Sequence, residues 1–136
     1  MSSRSRPIRW LTIAIVTALH DESIARFGGS AGIRDEGLLA SALERPRNLH
    51  SYSGETGVTG LAAGYGFGLA RNNPFVDGNK RAALLSIAVF CRLNAVLFAP
   101  RQIDEVRVIT SLAAGELTES QLADWIAENS TCRTAD

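Results

Sequence analysis

At 136 residues and 14.6 kDa, the chain is long enough for one domain with a hydrophobic core. Its 14 basic and 14 acidic residues cancel, which argues against a partner held by bulk electrostatics, such as duplex DNA or an anionic membrane. The two cysteines, Cys91 and Cys132, make no disulfide framework in a chain of this size, so a reducing cytoplasm fits best.

The first predicted element is a helix with Thr12 as its N-cap and Leu11 and Val16 at the two positions of a hydrophobic staple. Its apolar stripe runs to Phe27, and Gly28-Gly29 ends it. Arginines before the apolar run 10–16 superficially resemble a secretory signal, but no small-residue cleavage site follows.

A second helix is predicted to begin after Asp35 and to end near Pro46. Residues 46–58 are rich in turn formers, which predicts a loop or a short hairpin. The third helix, about 59–72, carries Gly60, Gly64 and Gly68 at four-residue spacing. Each interior glycine costs about 0.5–1 kcal/mol relative to alanine, so this face should pack closely, and the following helix is the expected neighbour.

The fourth helix, about 79–94, is apolar nearly all round and is predicted to be the buried centre of the domain. Its apolar run is too short to span a bilayer. A fifth helix is expected at about 101–114, and Thr118 with Gln121 forms a capping box for a sixth. The fold class is therefore all-α: a compact bundle of about six helices in a single domain, 1–136, with flexible ends at 1–10 and 130–136.

The loop at 73–81 carries the groups needed to handle phosphate. Gly78 permits a turn, and the free amides at the start of the following helix favour an anion. Lys80 and Arg81 add cationic donors, and Asp77 can hold a magnesium ion that bridges phosphate oxygens. The alternative is structural: Asp77 caps the helix, while Lys80 and Arg81 point into solvent.

This loop, Asn73-Pro74-Phe75-Val76-Asp77-Gly78-Asn79-Lys80-Arg81, resembles the Fic/Doc signature His-Pro-Phe-x-Asp-Gly-Asn-(Gly or Lys)-Arg everywhere except at the first position. The resemblance extends over most of the chain and implies the Fic/Doc fold. It includes Leu19-His20, Gly29, Gly32-x-Arg34-Asp35, Leu38-x-x-Ser41-Ala42-Leu43 and Ala113-Ala114-Gly115-Glu116-Leu117.

Lys80 makes the chain similar to the Doc (death-on-curing) toxins rather than to AMP-transferring Fic proteins, which have glycine there. The resemblance implies transfer of the γ-phosphate of ATP, with Mg²⁺, to a threonine of elongation factor Tu, which stops translation. It also implies roles for individual residues. Asp77 takes the metal, and Phe75 anchors the loop. Phosphates contact Gly78, Asn79, Lys80 and Arg81, and residues 46–58 form the flap that aligns a target segment.

Asn73 stands where the family has the histidine that deprotonates the target hydroxyl. A carboxamide has no useful basicity, and losing a general base costs about 10²–10⁴-fold in rate. His20, beside an apolar face, is expected to be a hydrogen-bonded core or supporting residue, and His50 is expected to be exposed. An inactivating substitution, natural degeneracy and a native variant with other chemistry all remain open for Asn73.

Many Fic proteins carry an inhibitory Ser/Thr-x-x-x-Glu-Gly/Asn motif. Ser51 and Glu55 have its spacing, but Thr56 follows, so no complete match exists. Inhibition is therefore expected from a separately encoded antitoxin, whose C-terminal segment folds as a helix into a groove of this chain. Two alternatives stay open: an AMP-transferring enzyme, and a non-catalytic module that binds nucleotide or a partner.

Overall fold

The computed structural model describes residues 7–55 and 57–132. Within them the chain forms six helices and one two-stranded sheet, so the expected helical bundle is confirmed. In chain order the elements are α1 (Ile13–Phe27), α2 (Glu36–Tyr52), α3 (Val58–Asn72), α4 (Asn79–Leu93), β1 (Val96–Phe98), α5 (Gln102–Ala113), α6 (Glu119–Glu128) and β2 (Ser130–Cys132). No helix in these ranges is long and apolar enough to cross a membrane.

Three helix starts follow from local side-chain chemistry, as predicted. Thr12 Oγ1 accepts a hydrogen bond from the Ile15 amide at 3.2 Å, and Asp35 Oδ1 accepts one from the Leu38 amide at 2.9 Å. Thr118 and Gln121 exchange both bonds of the capping box. Each cap satisfies an amide that the helix itself cannot pair.

A small sheet of two strands accompanies the helices of the predicted all-α bundle. β1 and β2 pair antiparallel, with Val96 opposite Cys132. Strands of three residues are too short to show an alternating pattern in the sequence. The same pairing gives residues 130–132 a regular structure, where a flexible end was expected. Residues 1–6 and 133–136, which belonged to the same expectation, lie outside the described residues.

The most enclosed helix is α3, with nine buried residues against six in α4. The fourth helix, which was expected to be the buried centre of the domain, therefore shares that position with α3. Small side chains explain the difference, because glycine and alanine let α2, α4 and α6 approach α3 closely. Buried Tyr65 ties this core to the N-terminal segment: its hydroxyl accepts a hydrogen bond from the Leu11 amide at 2.9 Å. Burial raises the pKa of Tyr65 to about 12.

The boundary predicted at Pro46 is wrong, and so is the loop or hairpin predicted at 46–58 as far as Tyr52. Helix α2 continues through Pro46 to Tyr52. A proline inside a helix costs about 3 kcal/mol. Buried packing against α3 offsets that cost, because a Cβ on Gly64 would be 3.3 Å from Pro46 Cα and 3.0 Å from Leu49 Cδ1.

The glycine face of α3 packs on the preceding helix rather than the following one. A Cβ on Gly68 would lie 3.0 Å from Ala42 Cα in α2. Gly66, on another side of α3, meets Ile87 of α4 instead. The four-residue spacing thus marked a close helix contact, although the neighbour was misassigned. The segment left between α2 and α3 is short, and Thr56 within it lies outside the described residues.

Candidate active site

The loop between α3 and α4 begins at Asn73, which ends α3 in the left-handed conformation (φ 49°, ψ 56°). Asparagine and histidine are among the residues that tolerate this conformation best. Arg34 fixes the turn from outside: its Nε donates to Asn73 O at 2.8 Å and its Nη2 to Asn72 O at 3.0 Å. A guanidinium suits this place because the last carbonyls of a helix are unpaired and partly negative. The Asn73 side chain is exposed.

Residues 32–35 pair with the loop like a short strand. The amides of Arg34 and Asp35 both donate to Pro74 O, at 2.7 and 3.1 Å, and Val76 N donates to Gly32 O at 3.0 Å. Ile33 and Phe75 form an antiparallel bridge between these two segments. The loop is therefore held extended on one side before it turns into α4.

On its inner side the loop rests on Phe75, which is 1% exposed. The ring stacks on His20 with centroids 3.8 Å apart and planes 7° apart. His20 Nε2 donates to the backbone carbonyl of Asp77 at 2.7 Å. Asn79 closes the turn, because its side chain accepts from Phe75 N at 2.9 Å and donates to Phe75 O at 3.0 Å. The Asn79 side chain is thus engaged within the loop, and its backbone amide is what it can offer a phosphate.

Asp77 is exposed, but its carboxylate is oriented by two backbone amides. Oδ1 accepts from Gly78 N at 2.8 Å, and Oδ2 accepts from Ser30 N at 3.1 Å. Gly78 has φ +75°, and a Cβ there would lie 3.2 Å from Ile24 Cδ1. Glycine at 78 therefore serves both the turn and the close approach of α1 to the loop.

Helix α4 begins at Asn79 without a side-chain cap. Its first-turn amides lack helical partners and carry the positive end of the helix dipole. Lys80 and Arg81 are exposed at the same end. The Arg81 guanidinium lies over the ring of Phe27, 4.6 Å from its centroid. Phe27 was expected on the apolar stripe of α1, but it is 63% exposed.

These groups surround one cleft of about 800 Å³. Its walls come from the end of α1, the loop, the start of α4 and one face of α5. They include Phe27, Asn73, Asp77, Lys80, Arg81 and Val106. The fold therefore brings the sequence-predicted polar residues to one opening, while Phe75 lies beneath it in the core.

Asp77 is the carboxylate of the loop that could hold a magnesium ion. No group of three or more His, Cys, Asp or Glu that could hold a metal exists in the described residues. Magnesium is commonly held by one or two carboxylates together with substrate phosphates and water. Asp77 alone therefore fits a magnesium ion that arrives with nucleotide phosphates, and it does not fit a metal site made by protein only.

Sequence reasoning missed three residues that shape the site: Phe27, Ser30 and Arg34. The expectation that His20 is a hydrogen-bonded core or supporting residue is confirmed, because it is 1% exposed and bonded to the Asp77 carbonyl. His20 and Arg34 belong to segments that resemble the family, but the resemblance did not name their partners in the loop. The partner of His20 lies 57 residues away along the chain, and the two partners of Arg34 lie 39 and 38 residues away. Local patterns could therefore not reveal them. His50 was expected to be exposed but is half-buried, and its Nδ1 lies 3.1 Å from Glu55 O.

Comparisons with known proteins match this loop and the helices around it. The Fic/DOC family model matches residues 10–91. The protein kinase doc of Escherichia phage P1 is 35% identical over 110 residues, which cover 80% of this chain and 86% of that protein. Toxin Doc of Mycolicibacterium smegmatis is 38% identical over 74 residues, which cover 54% of this chain and 57% of that protein.

Proposed function

Because the chain belongs to the Fic/DOC family, we propose that it is a Doc-like toxin of a toxin–antitoxin module. Its scaffold is that of an ATP-dependent protein phosphotransferase, and Asn73 leaves the present chain inactive or strongly impaired. The observation that carries the proposal is one cleft in which Asp77, the first amides of α4, Lys80 and Arg81 meet, with a carboxamide where the family has its base.

The chain's own residues supply positioning and charge. The amides at the start of α4 bind phosphate oxygens, and Lys80 and Arg81 neutralise their charge. Asp77 is oriented by Ser30 and Gly78 to receive Mg²⁺ carried by ATP. Asp77 would hold a bound Mg²⁺, which would supply neutralisation of the negative charge that develops during transfer.

Proton removal is the step that this chain lacks. In phosphoryl transfer most of the rate comes from positioning and electrostatics, so some activity can survive without a base. The missing base accounts for a loss of about 10²–10⁴-fold. His20 does not replace it, because its side chain is 1% exposed and its Nε2 is already bonded to the Asp77 carbonyl.

The proposed target is a threonine of elongation factor Tu, and the proposed inhibitor is the C-terminal helix of an antitoxin. Support for a helical partner comes from apolar side chains on α5 beside the cleft. Val106 lines the cleft and is 61% exposed, and Ile103, one turn earlier, is 69% exposed. Residues three apart share a helix face, so the two present one apolar surface.

The test restores the base by Asn73→His, which the left-handed backbone at 73 tolerates. Asn73→Gln is the matched control, since it changes the side chain without adding a base. ATP labelled on the γ- or the α-phosphate is incubated with each variant and a translation extract. The proposal predicts that γ-label reaches a threonine of elongation factor Tu about 10²–10⁴-fold faster with Asn73→His than with the unchanged chain or Asn73→Gln, and that only Asn73→His arrests growth on expression.

Label from the α-phosphate would instead identify AMP transfer. A second candidate function, a non-catalytic module that binds nucleotide or a partner, is favoured by Asn73 itself. That candidate stands, and the phosphotransferase proposal falls, if Asn73→His binds MgATP yet transfers no label and does not slow growth.

A further inference from the structure

We propose that His20 is the positioning residue of the loop: it holds the Asp77–Gly78 turn, and with it the carboxylate and the first amides of α4, in the orientation that receives phosphate. The functional consequence rests on the proposed function, whereas the positioning itself does not. His20 comes from the middle of α1 and lies under the loop, where it contacts both Phe75 and Asp77.

The hydrogen bond fixes which nitrogen of His20 carries the proton. The Asp77 carbonyl can only accept, so Nε2 at 2.7 Å must donate. Nδ1 is then unprotonated in the neutral ring, and no hydrogen-bond partner for it exists within the described residues. Asp21 Oδ1 lies 3.8 Å from it.

An unsatisfied buried nitrogen is unfavourable, and that makes a pure packing role a poor explanation. Phenylalanine could stack on Phe75 equally well and would leave no orphaned atom. The imidazole offers what phenylalanine lacks, namely a donor at the edge of a flat ring. The bond to Asp77 is therefore the reason for histidine at position 20.

Two close approaches show how the ring controls the loop. A Cβ on Gly78 would lie 3.5 Å from His20 Nε2 and 3.2 Å from Ile24 Cδ1, so α1 packs directly on the turn. Fixing the Asp77 carbonyl also fixes the next peptide plane, whose Gly78 amide donates to Asp77 Oδ1. The His20 ring thus positions the Asp77 carboxylate and the first amides of α4 before phosphate binds. Such preorganisation lowers the free-energy cost of binding.

Two variants of His20 separate its two contacts. His20→Phe keeps a ring for the stack and removes the donor, whereas His20→Gln keeps a donor near the place of Nε2 and removes the ring. His50→Phe is the matched control, because His50 also contacts a backbone carbonyl and an aromatic ring, those of Glu55 and Trp10. A chain of 14.6 kDa allows each measurement by NMR.

The first measurement is the ¹⁵N spectrum of the histidine side chains in the unchanged chain. The proposal predicts the Nε2–H tautomer for His20, and a Nδ1–H tautomer overturns it. This result needs no nucleotide and no variant. It therefore decides the positioning claim even if His20→Phe fails to fold, or if the chain binds no MgATP and the proposed function itself fails.

The second measurement determines two quantities for each variant: amide hydrogen exchange at Ser30 and Gly78, and MgATP affinity. The amides of Ser30 and Gly78 donate to the Asp77 carboxylate. His20→Phe should speed exchange at both amides and weaken MgATP binding by about 3- to 10-fold, the size expected for one lost hydrogen bond. His20→Gln should recover most of that affinity, and His50→Phe should change neither quantity. Unchanged exchange and affinity in a folded His20→Phe variant overturn the proposal.

Discussion

Gly28 and Gly29 offer paired substitutions that separate the folding cost of replacing a glycine from its effect on Asp77. Both have left-handed φ values, +89° and +115°. A Cβ on Gly28 meets nothing within 4 Å, whereas a Cβ on Gly29 would lie 2.8 Å from Asp77 Oδ2. Both changes to alanine strain the backbone, and only Gly29→Ala also displaces the carboxylate.

The sizes of the two effects differ enough to measure. Backbone strain of this kind costs about 1–3 kcal/mol at either position, and Gly29→Ala should lose more stability than Gly28→Ala because its Cβ would also lie 3.1 Å from Ile24 Cδ1. Displacing the carboxylate also breaks its bond from the Ser30 amide, a bond to a charged group worth about 1.5–3 kcal/mol. Gly29→Ala should therefore weaken MgATP binding by about tenfold or more, and Gly28→Ala by about twofold at most.

The assay is calorimetric titration with MgATP, accompanied by thermal unfolding of each variant. The MgATP affinity of Asp77→Asn gives the largest loss of affinity that the carboxylate can account for. Equal weakening by the two glycine variants would show that the loop responds to backbone strain alone. Unchanged binding in Gly29→Ala would refute the role given to the orientation of Asp77.

Three further predictions concern the walls of the cleft and the core. Phe27→Leu removes the ring under Arg81, a contact worth about 0.5–1 kcal/mol at an exposed site, and should weaken MgATP binding two- to fivefold by titration. Gly68→Ala places a Cβ 3.0 Å from the α2 backbone. It should lower the free energy of unfolding, measured in urea, by about 1–2 kcal/mol, although alanine has the better helix propensity. Equal or higher stability would contradict the tight contact. Burial raises the pKa of Cys91 to about 12, so a thiol reagent at pH 8 should label Cys132 alone until the chain is unfolded.

Features that depend on neighbours in the sequence were predictable. Thr12, Asp35 and Thr118 cap their helices with side chains that reach amides three residues ahead, so the sequence contains the whole interaction. The loop residues predicted to bind phosphate line one cleft for the same reason. They are consecutive, and the helix start that orients them follows directly.

Features that depend on distant packing were missed. A proline normally ends a helix, but buried contacts of Pro46 with α3 outweigh that tendency. The glycine spacing of α3 indicated a close approach, yet it could not say which helix would approach. The position of His20 under Phe75 depends on how α1 packs against the loop, which no local pattern encodes.

The central claim is that this chain keeps the phosphate and metal groups of the loop and lacks only the base. The most direct test measures MgATP affinity and the rate of γ-phosphate transfer for the unchanged chain and for Asn73→His. We expect similar affinities and a transfer rate about 10²–10⁴-fold higher for Asn73→His. Equal transfer rates, or a chain that cannot bind MgATP in either form, would contradict the account.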